Sequence, residues 1–491
     1  MRGVDRVRVH LRLRTACKPL KRVLVSTCLV LTLGGCLLTD TPEPGLVIPA
    51  RYDLSSANPK IAEAALPTLD WWRGFRSREL TDIVEQSLDA NLDIAAAIAR
   101  IVQADAQSRI AGAPLLPDVG LGGDASRSRT SQTASGSSAV RDNLSTTLSA
   151  SYEIDFWGKN RAALRAAEQT AVATRYDREV VALTTVVSAA NAYFQVLAAQ
   201  DRLAAARDNL ASANRVLDLI RQRASAGTAS DLEIAQQESV VNTQRATIPQ
   251  LQQTATQNRN ALAVLIARSP EGVRIRGGSL RAIATPRVTP GLPSELLAQR
   301  PDIREAEAQL AAANANVHVA RAQMLPSISL TADGGYQSPV LKTLLRPESA
   351  IYSVAAGLTQ PIFDGGALQG NLDAQKGRQD ELLQNYRKAV ISAFSDVETA
   401  LDAVRQTALR ERLLTEVVAS SRRAFDISEQ RLREGTVDLV TVLQTQQTLY
   451  QAQDSLAIAR LARLQAIVSL YQALGGGWAP KPQIAEAPDA R

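Results

Sequence analysis

The sequence predicts an α+β protein that contains two copies of one unit, each a pair of β-strands followed by a very long helical hairpin. One observation is a repeat at an interval of about 208 residues, at which Gly227-Thr228 returns as Gly435-Thr436. A second is a set of strands in which polar and apolar residues alternate, and a third is a pair of helical runs of about 67 residues each. The interval is far longer than the period of a solenoid repeat, so it indicates an internal two-fold repeat of a whole unit.

Residues 1–35 are typical of a bacterial lipoprotein signal peptide. Their eight Lys and Arg side chains precede an apolar run at 23–33, which is shorter than the ~20 residues of a membrane-spanning helix. The run leads into a Leu-Gly-Gly-Cys sequence that resembles a lipobox, and this resemblance implies cleavage before Cys36 and attachment of S-diacylglycerol and N-palmitoyl lipid to it. Leu37 rather than aspartate follows, which in lipoproteins favours anchoring in outer-membrane lipid. The alternative is an ordinary secretory signal with an incidental cysteine.

Removal of the signal changes the charge of the chain. Residues 1–35 carry a net charge of +7 and the whole chain +6, so the mature protein has a net charge of about −1. The basic isoelectric point therefore gives no reason to expect nucleic acid as a partner. Cys17 and Cys28 are lost with the signal, so the mature chain has no cysteine pair to form a disulfide in an oxidising compartment.

Composition and spacing divide the mature chain into successive parts. Proline-rich residues 36–78 predict an irregular, acylated tether that leads to the body of the protein. The first repeat is predicted at 79–267 and the second at 293–478, with a linker of 268–292 between them. Residues 479–491 are predicted to form a C-terminal tail.

The clearest strand signal runs from Leu144 to Phe156, where apolar and polar residues alternate with a period of two. Weaker alternation at 119–125, 328–336 and 352–358 predicts three further strands. Strands of this length suit a tilted crossing of a membrane, but four cannot close a barrel and open edges are not tolerated in lipid. Three chains would supply twelve strands and a closed wall. The alternative is a small soluble β-layer beside the helices.

The helical runs at 159–225 and 368–434 contain no proline, and only the second contains glycine, near its start. Each predicts a rod on the order of 100 Å long. Shorter helices are predicted at 79–113, 230–267, 294–323 and 438–474. Heptad spacing predicts a coiled-coil seam on each rod, whose recurrence in both repeats argues against an ordinary amphipathic face. The seam residues are Leu203, Ala206, Leu210, Ala213, Leu217, Ile220 and Ala224, then Leu414, Val418, Ser421, Phe425, Ser428 and Leu432.

Taken together, these features resemble the TolC-like outer-membrane factor family, in the lipoprotein branch that serves resistance-nodulation-division (RND) pumps. The resemblance implies a homotrimer with a twelve-stranded transmembrane β-barrel, four strands per chain, a twelve-helix tunnel and a mixed equatorial domain that includes 268–292 and the C-terminal residues. It implies an exit duct that passively conducts small molecules from an inner-membrane RND pump and a periplasmic adaptor protein. The signatures that carry it include Arg300-Pro301-Asp302-Ile303, Gln360-Pro361-Ile362-Phe363-Asp364-Gly365-Gly366 and Ala473-Leu474-Gly475-Gly476-Gly477-Trp478.

The resemblance also implies a periplasmic gate, where side chains after the second Gly-Thr turn form rings around the threefold axis. Val440 matches an apolar gate position, whereas Gln444 and Thr441 occupy positions where members of the family carry aspartate. We therefore predict a gate that is more apolar and hydrogen-bonded than acidic, because glutamine rings select cations far less than carboxylate rings do. The alternative is that Gln444 lies in interhelical packing. The remaining nearby carboxylates are Asp438, Asp231 and Glu233.

The two Gly-Thr turns are predicted, by resemblance alone, to face the adaptor. Gly227 and Gly435 can end a helix in a left-handed conformation, and Thr436 or Asp438 can then cap the next helix. These structural roles need no partner.

No residue pattern indicates an enzyme. His318 is the one histidine of the mature chain and lies in a predicted helix, so no catalytic triad, metal site or cofactor site is predicted. The competing function is a lipid-anchored periplasmic coiled-coil spacer, which explains the lipid, the heptads and the length. It does not explain four strands at matching points of both repeats. The transported substrate is not predicted.

Overall fold

A computed structural model gives the fold of the chain. It describes residues 45, 46, 48, 52, 68–131, 133, 140–288 and 293–478, without the side chains of residues 293, 294 and 477. From Leu46 onward the described residues belong to one compact unit. The predicted signal peptide, Cys36, most of the tether and the tail at 479–491 lie outside the described residues.

Four antiparallel strands form one sheet in sequence order. The strands are β1 (Asp118–Arg129), β2 (Val140–Ile154), β3 (Ser327–Ser338) and β4 (Ala350–Thr359). The register places Leu148 beside Leu121 on one side and Gly334 on the other, and Gly334 beside Tyr352. Apolar positions of all four strands therefore share one face, while polar positions such as Ser149 share the other. The predicted alternation is confirmed, and within one chain β1 and β4 form the two edges of the sheet.

The helices, in chain order, are α1 (Arg78–Ala90), α2 (Leu92–Gly112), α3 (Lys159–Ser225), α4 (Asp231–Leu265), α5 (Pro293–Gln299), α6 (Pro301–Gln323), α7 (Ala367–Arg433) and α8 (Leu439–Ala473). Both α3 and α7 are 67 residues long, and both α4 and α8 are 35 residues long. Near the sheet the helices neighbour one another in the order α2, α3, α6, α7; beyond it the order is α4, α3, α8, α7. The fold therefore has two levels of helices, one near the sheet and one beyond it, and the long helices α3 and α7 belong to both.

The predicted heptad seams are the buried faces of the long helices. Ala206, Ala213 and Ile220 are buried on α3, as are Phe425 and Leu432 on α7, and the other seam residues are buried or half-buried. Alanine at these positions lets the helix axes approach closely. One stretch of α3 is long and apolar enough to cross a membrane, but 61% of it is buried within the fold, as expected for a core helix.

Two of the predicted helices are wrong in one respect, because 79–113 and 294–323 are each interrupted. Asn91 has an extended backbone (φ −62°, ψ 132°), and its side-chain oxygen accepts hydrogen bonds from the first amides of α2. A polar cap of this kind starts a new helix. Arg300 is also extended, because Pro301 keeps the residue before it out of the helical region.

The same two residues join helices of the two levels at matching places. Asn91 Nδ2 donates to the carbonyl oxygen of Leu265, at the end of α4, over 2.9 Å. Arg300 Nη1 donates to the carbonyl oxygen of Ala473, at the end of α8, over 3.2 Å. In the first half α2 and α4 therefore lie end to end beside a long helix, and in the second half α6 and α8 do the same.

The largest apolar core lies at this junction. Trp71 stacks on Tyr471 with ring centroids 4.6 Å apart, and Phe75 packs on Phe194 with centroids 5.2 Å apart. Since these rings are buried, residues 71–78 belong to the folded body rather than to the predicted tether. The free energy gained by burying these aromatic side chains is large enough to hold this irregular segment on the folded body.

The linker after α4 lies against α1 and α3. The carboxylate of Glu79 accepts a hydrogen bond from the amide of Arg276 over 2.7 Å, and that of Asp201 accepts one from the amide of Leu280 over 3.0 Å. These bonds hold the described part of 268–292 against α1 and α3.

Candidate functional site

Both helical hairpins end in turns with the same hydrogen bonds. Gly227 and Gly435 have left-handed backbones (φ +72° and +74°), which end a helix without a clash at Cβ. The amides of Thr228 and Thr436 donate to the carbonyl five residues earlier, over 2.8 and 2.9 Å, and their hydroxyls donate to the same carbonyls. The Gly-Thr pairs thus close the helix ends, and their role toward an adaptor stays a prediction.

The return helices begin at two different caps. At α4, the Ser230 amide donates to the Glu233 carboxylate over 2.7 Å and the Glu233 amide donates to the Ser230 hydroxyl over 3.3 Å. At α8, the Asp438 carboxylate accepts hydrogen bonds from the Thr441 hydroxyl (2.6 Å) and the Thr441 amide (2.9 Å). These bonds from Thr441 hold the pKa of Asp438 below its usual value, so this cap is ionised at neutral pH.

Three residues predicted near the gate therefore take part in capping. The carboxylates of Glu233 and Asp438 point at helix N-termini, where negative charge is favourable, and the hydroxyl of Thr441 is bound to Asp438. Asp231 is exposed in the first turn of α4. Helix capping alone therefore explains why carboxylates stand at Glu233 and Asp438, two of the three predicted near the gate.

The first turns of α8 have one buried and one exposed side. Leu439 and Val442 are only 2% and 0% exposed, whereas Val440 is 49% exposed and Gln444, one turn further along, is exposed as well. The buried side belongs to an apolar tip cluster that joins both hairpins. Its other members are Val216, Ile220, Phe425, Leu432, Leu449 and Tyr450. Val440 and Gln444 thus lie on a helix that is firmly held by its opposite face.

Within one chain, Gln444 is not buried between helices, and whether it packs between helices of neighbouring copies stays open. Its exposed side chain borders a groove between α7 and α8, next to Ser420, Ala424 and Thr448. Its orientation toward a pore stays a prediction.

A buried polar network that the sequence did not predict joins the two hairpins above the tip cluster. Gln237 and Gln446 are both fully buried, and Nε2 of Gln237 donates to the Ala213 carbonyl over 2.9 Å and to Gln446 Oε1 over 3.4 Å. The Tyr450 hydroxyl accepts from Gln446 Nε2 over 2.9 Å and donates to the Asn209 carbonyl over 2.7 Å. Burial raises the pKa of Tyr450, so this hydroxyl is protonated. The available sequence signal was one glutamine in the return helix of each repeat, 209 residues apart and so one residue out of register with the caps at Ser230 and Asp438.

An ion pair lies one turn further along α8. Arg202 Nε and Nη2 donate to the two oxygens of Asp454 over 2.6 and 3.2 Å, which joins α3 to α8. Such two-pronged pairs fix geometry as well as adding attraction. Near the tips, the two hairpins are therefore held together by polar ties in addition to apolar packing.

Comparison with known proteins gives a consistent result. The outer membrane efflux protein family matches residues 83–268 and 292–476. The chain is 41% identical to the pyoverdine export outer membrane protein OpmQ of Pseudomonas aeruginosa, over 93% of this chain and 96% of the relative. It is 32% identical to the toluene efflux pump outer membrane protein TtgC of Pseudomonas putida, over 91% and 93%. Among solved structures, the outer-membrane channel OprN has a TM-score of 0.84 at 27% identity, covering 91% of this chain and 100% of that one. The CusC channel has a TM-score of 0.80 at 27% identity, covering 89% and 99%.

Fold and matches together define a TolC-like outer-membrane channel protein, mostly helical with a four-stranded sheet. The chain belongs to the outer membrane efflux protein family. It is a passive transport component of the outer membrane that extends into the periplasm, and it is not an enzyme. Members of this family are the outer-membrane parts of tripartite efflux systems.

Proposed function

We propose that three copies of this chain form one duct, a twelve-stranded β-barrel continued by a twelve-helix tunnel. The observation that carries this proposal is that both layers of one chain have two open edges. The sheet ends at β1 and β4, and the helical layer beyond it ends at α4 and α7. Open strand edges are not tolerated in lipid. Edge-to-edge joining of copies closes both layers at once.

Strand number favours three copies over two. Eight-stranded barrels have interiors that side chains fill, whereas larger barrels leave an open lumen. Two copies supply eight strands and three supply twelve, so three is the smallest number that leaves a passage. The exposed apolar face, with Leu121, Tyr352 and Val354, suits contact with lipid, and the polar face suits a water-filled lumen. The equal lengths of α3 and α7, and of α4 and α8, support duplication of one ancestral unit.

The free edge of α7 supplies a surface for the neighbouring copy. Leu409, Leu413, Val417 and Ile427 are each 41–54% exposed, and the first three follow one another at intervals of four residues. This second apolar stripe lies beside the buried seam of the same helix. In the proposed trimer this stripe would pack against the free edge of α4 in the neighbouring copy.

We expect Val417→Asp to convert the trimer into monomers, because it places a carboxylate in the proposed apolar contact at three interfaces. The matched control is Ala419→Asp, which adds the same charge two residues later at another exposed position of α7. Light scattering in detergent measures the protein mass. A Val417→Asp protein that keeps the trimer mass, or an unmodified protein of monomer mass, would contradict the proposal.

In such a trimer we infer that Val440 and Gln444 line the closed periplasmic end, with Thr441 and Asp438 behind them as a cap. The exposure of Val440 and Gln444, on a helix pinned by Leu439, supports this inference. Apolar rings close a pore by excluding water, and amide rings attract cations weakly.

Cation selectivity should therefore change little in Gln444→Ala and rise strongly in Gln444→Asp, which creates a ring of three carboxylates. The measurement is the reversal potential across a bilayer with a salt gradient. A clear loss of cation selectivity in Gln444→Ala would contradict the proposed gate.

Remaining features of the proposal concern anchoring and partners. We infer that Cys36 carries S-diacylglycerol and N-palmitoyl lipid, since more than one acyl chain is needed for stable anchoring. We expect cells to label the protein with radioactive palmitate and Cys36→Ser to abolish that labelling.

The turns at Gly227-Thr228 and Gly435-Thr436 would meet a periplasmic adaptor, which links the duct to an inner-membrane RND pump. The names of relatives mention pyoverdine, toluene and cations, so we propose that pump and adaptor select the cargo.

A further inference from the structure

The basic residues of the sheet are confined to one end of it. Within the four strands the only Lys or Arg residues are Arg127, Arg129 and Arg141, and all three lie where β1 ends and β2 begins. The other ends of β1 and β2 lead to helices, so the arginines lie at the end of the sheet away from the helical body. In the proposed barrel this end is extracellular.

Two of the arginines share the apolar face of the sheet. Arg127 and Arg129 have the same parity in β1 as Leu121 and Ala125, and side chains two residues apart in a strand share a face. Ala125 pairs with Leu144, the last apolar pair of the band. Arg127 follows about 7 Å beyond that pair along the strand, next to the end of the apolar band.

Arg141 lies on the opposite face. It pairs with Ser128, and both belong to the polar face that the proposed barrel turns toward its lumen. The same hairpin end therefore presents guanidinium groups to both sides of the wall, and Arg141 provides a matched position that lipid does not reach.

The chemistry of Arg127 suits an additional anionic partner. Among the described residues its ion pair is with Asp142, through Nε at 3.4 Å, and its side chain is 75% exposed. A guanidinium has five N–H donors and binds phosphate oxygens in a two-pronged manner. A single long contact through Nε leaves most of that capacity available.

The charge of the surrounding segments points the same way. Residues 127–142 and 339–349 contain five basic and two acidic side chains, a net charge of +3, although the mature chain is near −1. Three copies would place +9 around the extracellular rim. Surface potentials of this kind attract anionic headgroups.

We propose that Arg127 and Arg129 bind phosphate groups of lipid headgroups in the outer leaflet, as a belt around the extracellular end of the barrel. This inference rests on the proposed trimeric barrel. The occupant is a phosphorylated, anionic lipid whose acyl chains contact the apolar band directly below.

The test compares unmodified trimer, Arg127→Gln/Arg129→Gln and the control Arg141→Gln in phosphatidylcholine bilayers with and without lipid A. Native mass spectrometry counts the lipid A retained per trimer. We expect about fivefold weaker retention for each outward arginine removed, no change in Arg141→Gln, and no displacement of lipid by inorganic phosphate. Arg127→Gln leaves Asp142 unpaired, so a triple variant that adds Asp142→Asn to Arg127→Gln/Arg129→Gln serves as a further control. We expect the triple variant to retain as little lipid A as the double variant does.

Equal retention by the double variant and the unmodified protein would overturn the inference, as would an equal loss in Arg141→Gln. Displacement by inorganic phosphate would indicate a site for soluble anions and would also overturn it. Failure of the protein to form a trimer would instead refute the proposed duct. The two failures are therefore distinguishable, since the same spectra report the mass of the assembly.

Discussion

A protein that carries Tyr450→Phe and Asp454→Ala should hold the duct open far more often than the unmodified protein. Both side chains tie α8 to α3, and in the proposed duct we infer that the tips open by movement of the α7–α8 hairpin relative to the α3–α4 hairpin. The hydrogen bond from the Tyr450 hydroxyl to the Asn209 carbonyl and the ion pair of Asp454 with Arg202 both join α8 to α3, and each is worth about 1 kcal/mol. Across three chains this amounts to roughly 3–6 kcal/mol, or a shift of about 10²- to 10⁴-fold toward the open state.

The measurement is the open fraction in single-channel records at neutral pH. Gln451→Ala is the matched control, because Gln451 is exposed and lines the same groove beside Tyr450 and Asp454. We expect that control to behave as the unmodified protein. A folded, trimeric double variant that stays closed would show that the two hairpins move as one body.

Gly475→Ala should strongly destabilise the fold, the largest effect that we expect on stability. Gly475 has a left-handed backbone (φ +81°), and an added Cβ would lie 2.6 Å from the carbonyl oxygen of Gln299. The backbone on both sides of this contact is restrained, because Arg300, which follows Gln299, donates to the carbonyl of Ala473, two residues before Gly475. A left-handed conformation costs about 1–2 kcal/mol, and overpacking adds a further ~1–3 kcal/mol.

Chemical denaturation of the purified protein measures this loss as a drop in the free energy of unfolding. Gly377→Ala is the control, since Gly377 lies within α7 with no atom within 4 Å of an added Cβ. Alanine there should be neutral or stabilise the protein by about 0.5–1 kcal/mol. A fully stable Gly475→Ala protein would show that the junction between α5 and α8 can shift.

The long elements were predictable because their signals are local and repeated. The run at 159–225 is α3 with the same bounds, since uninterrupted helix formers and heptads act over many turns. The break at Asn91 was missed, because an alanine-rich run conceals one capping residue. The break at Arg300 could have been read from Pro301, which follows it.

Features that depend on distant partners could not be predicted in the same way. Trp71 belongs to the core because it meets Tyr471, which lies 400 residues later in the sequence. At the tip, Leu439 and Val440 are equally apolar in sequence, but only contact with the second hairpin decides which of them is buried. The resemblance to the family selected Val440 before the structure placed it on the exposed side.

Single-channel conductance of the mature protein and of Val440→Gly in planar bilayers tests most directly the claim that this chain forms a duct closed at its periplasmic end. We expect small, infrequent currents from the unmodified protein and large, sustained currents from the variant, because three valine side chains leave the constriction. Silence of both proteins after confirmed insertion would contradict the claim, and a lipid-anchored coiled-coil spacer would then explain the chain better.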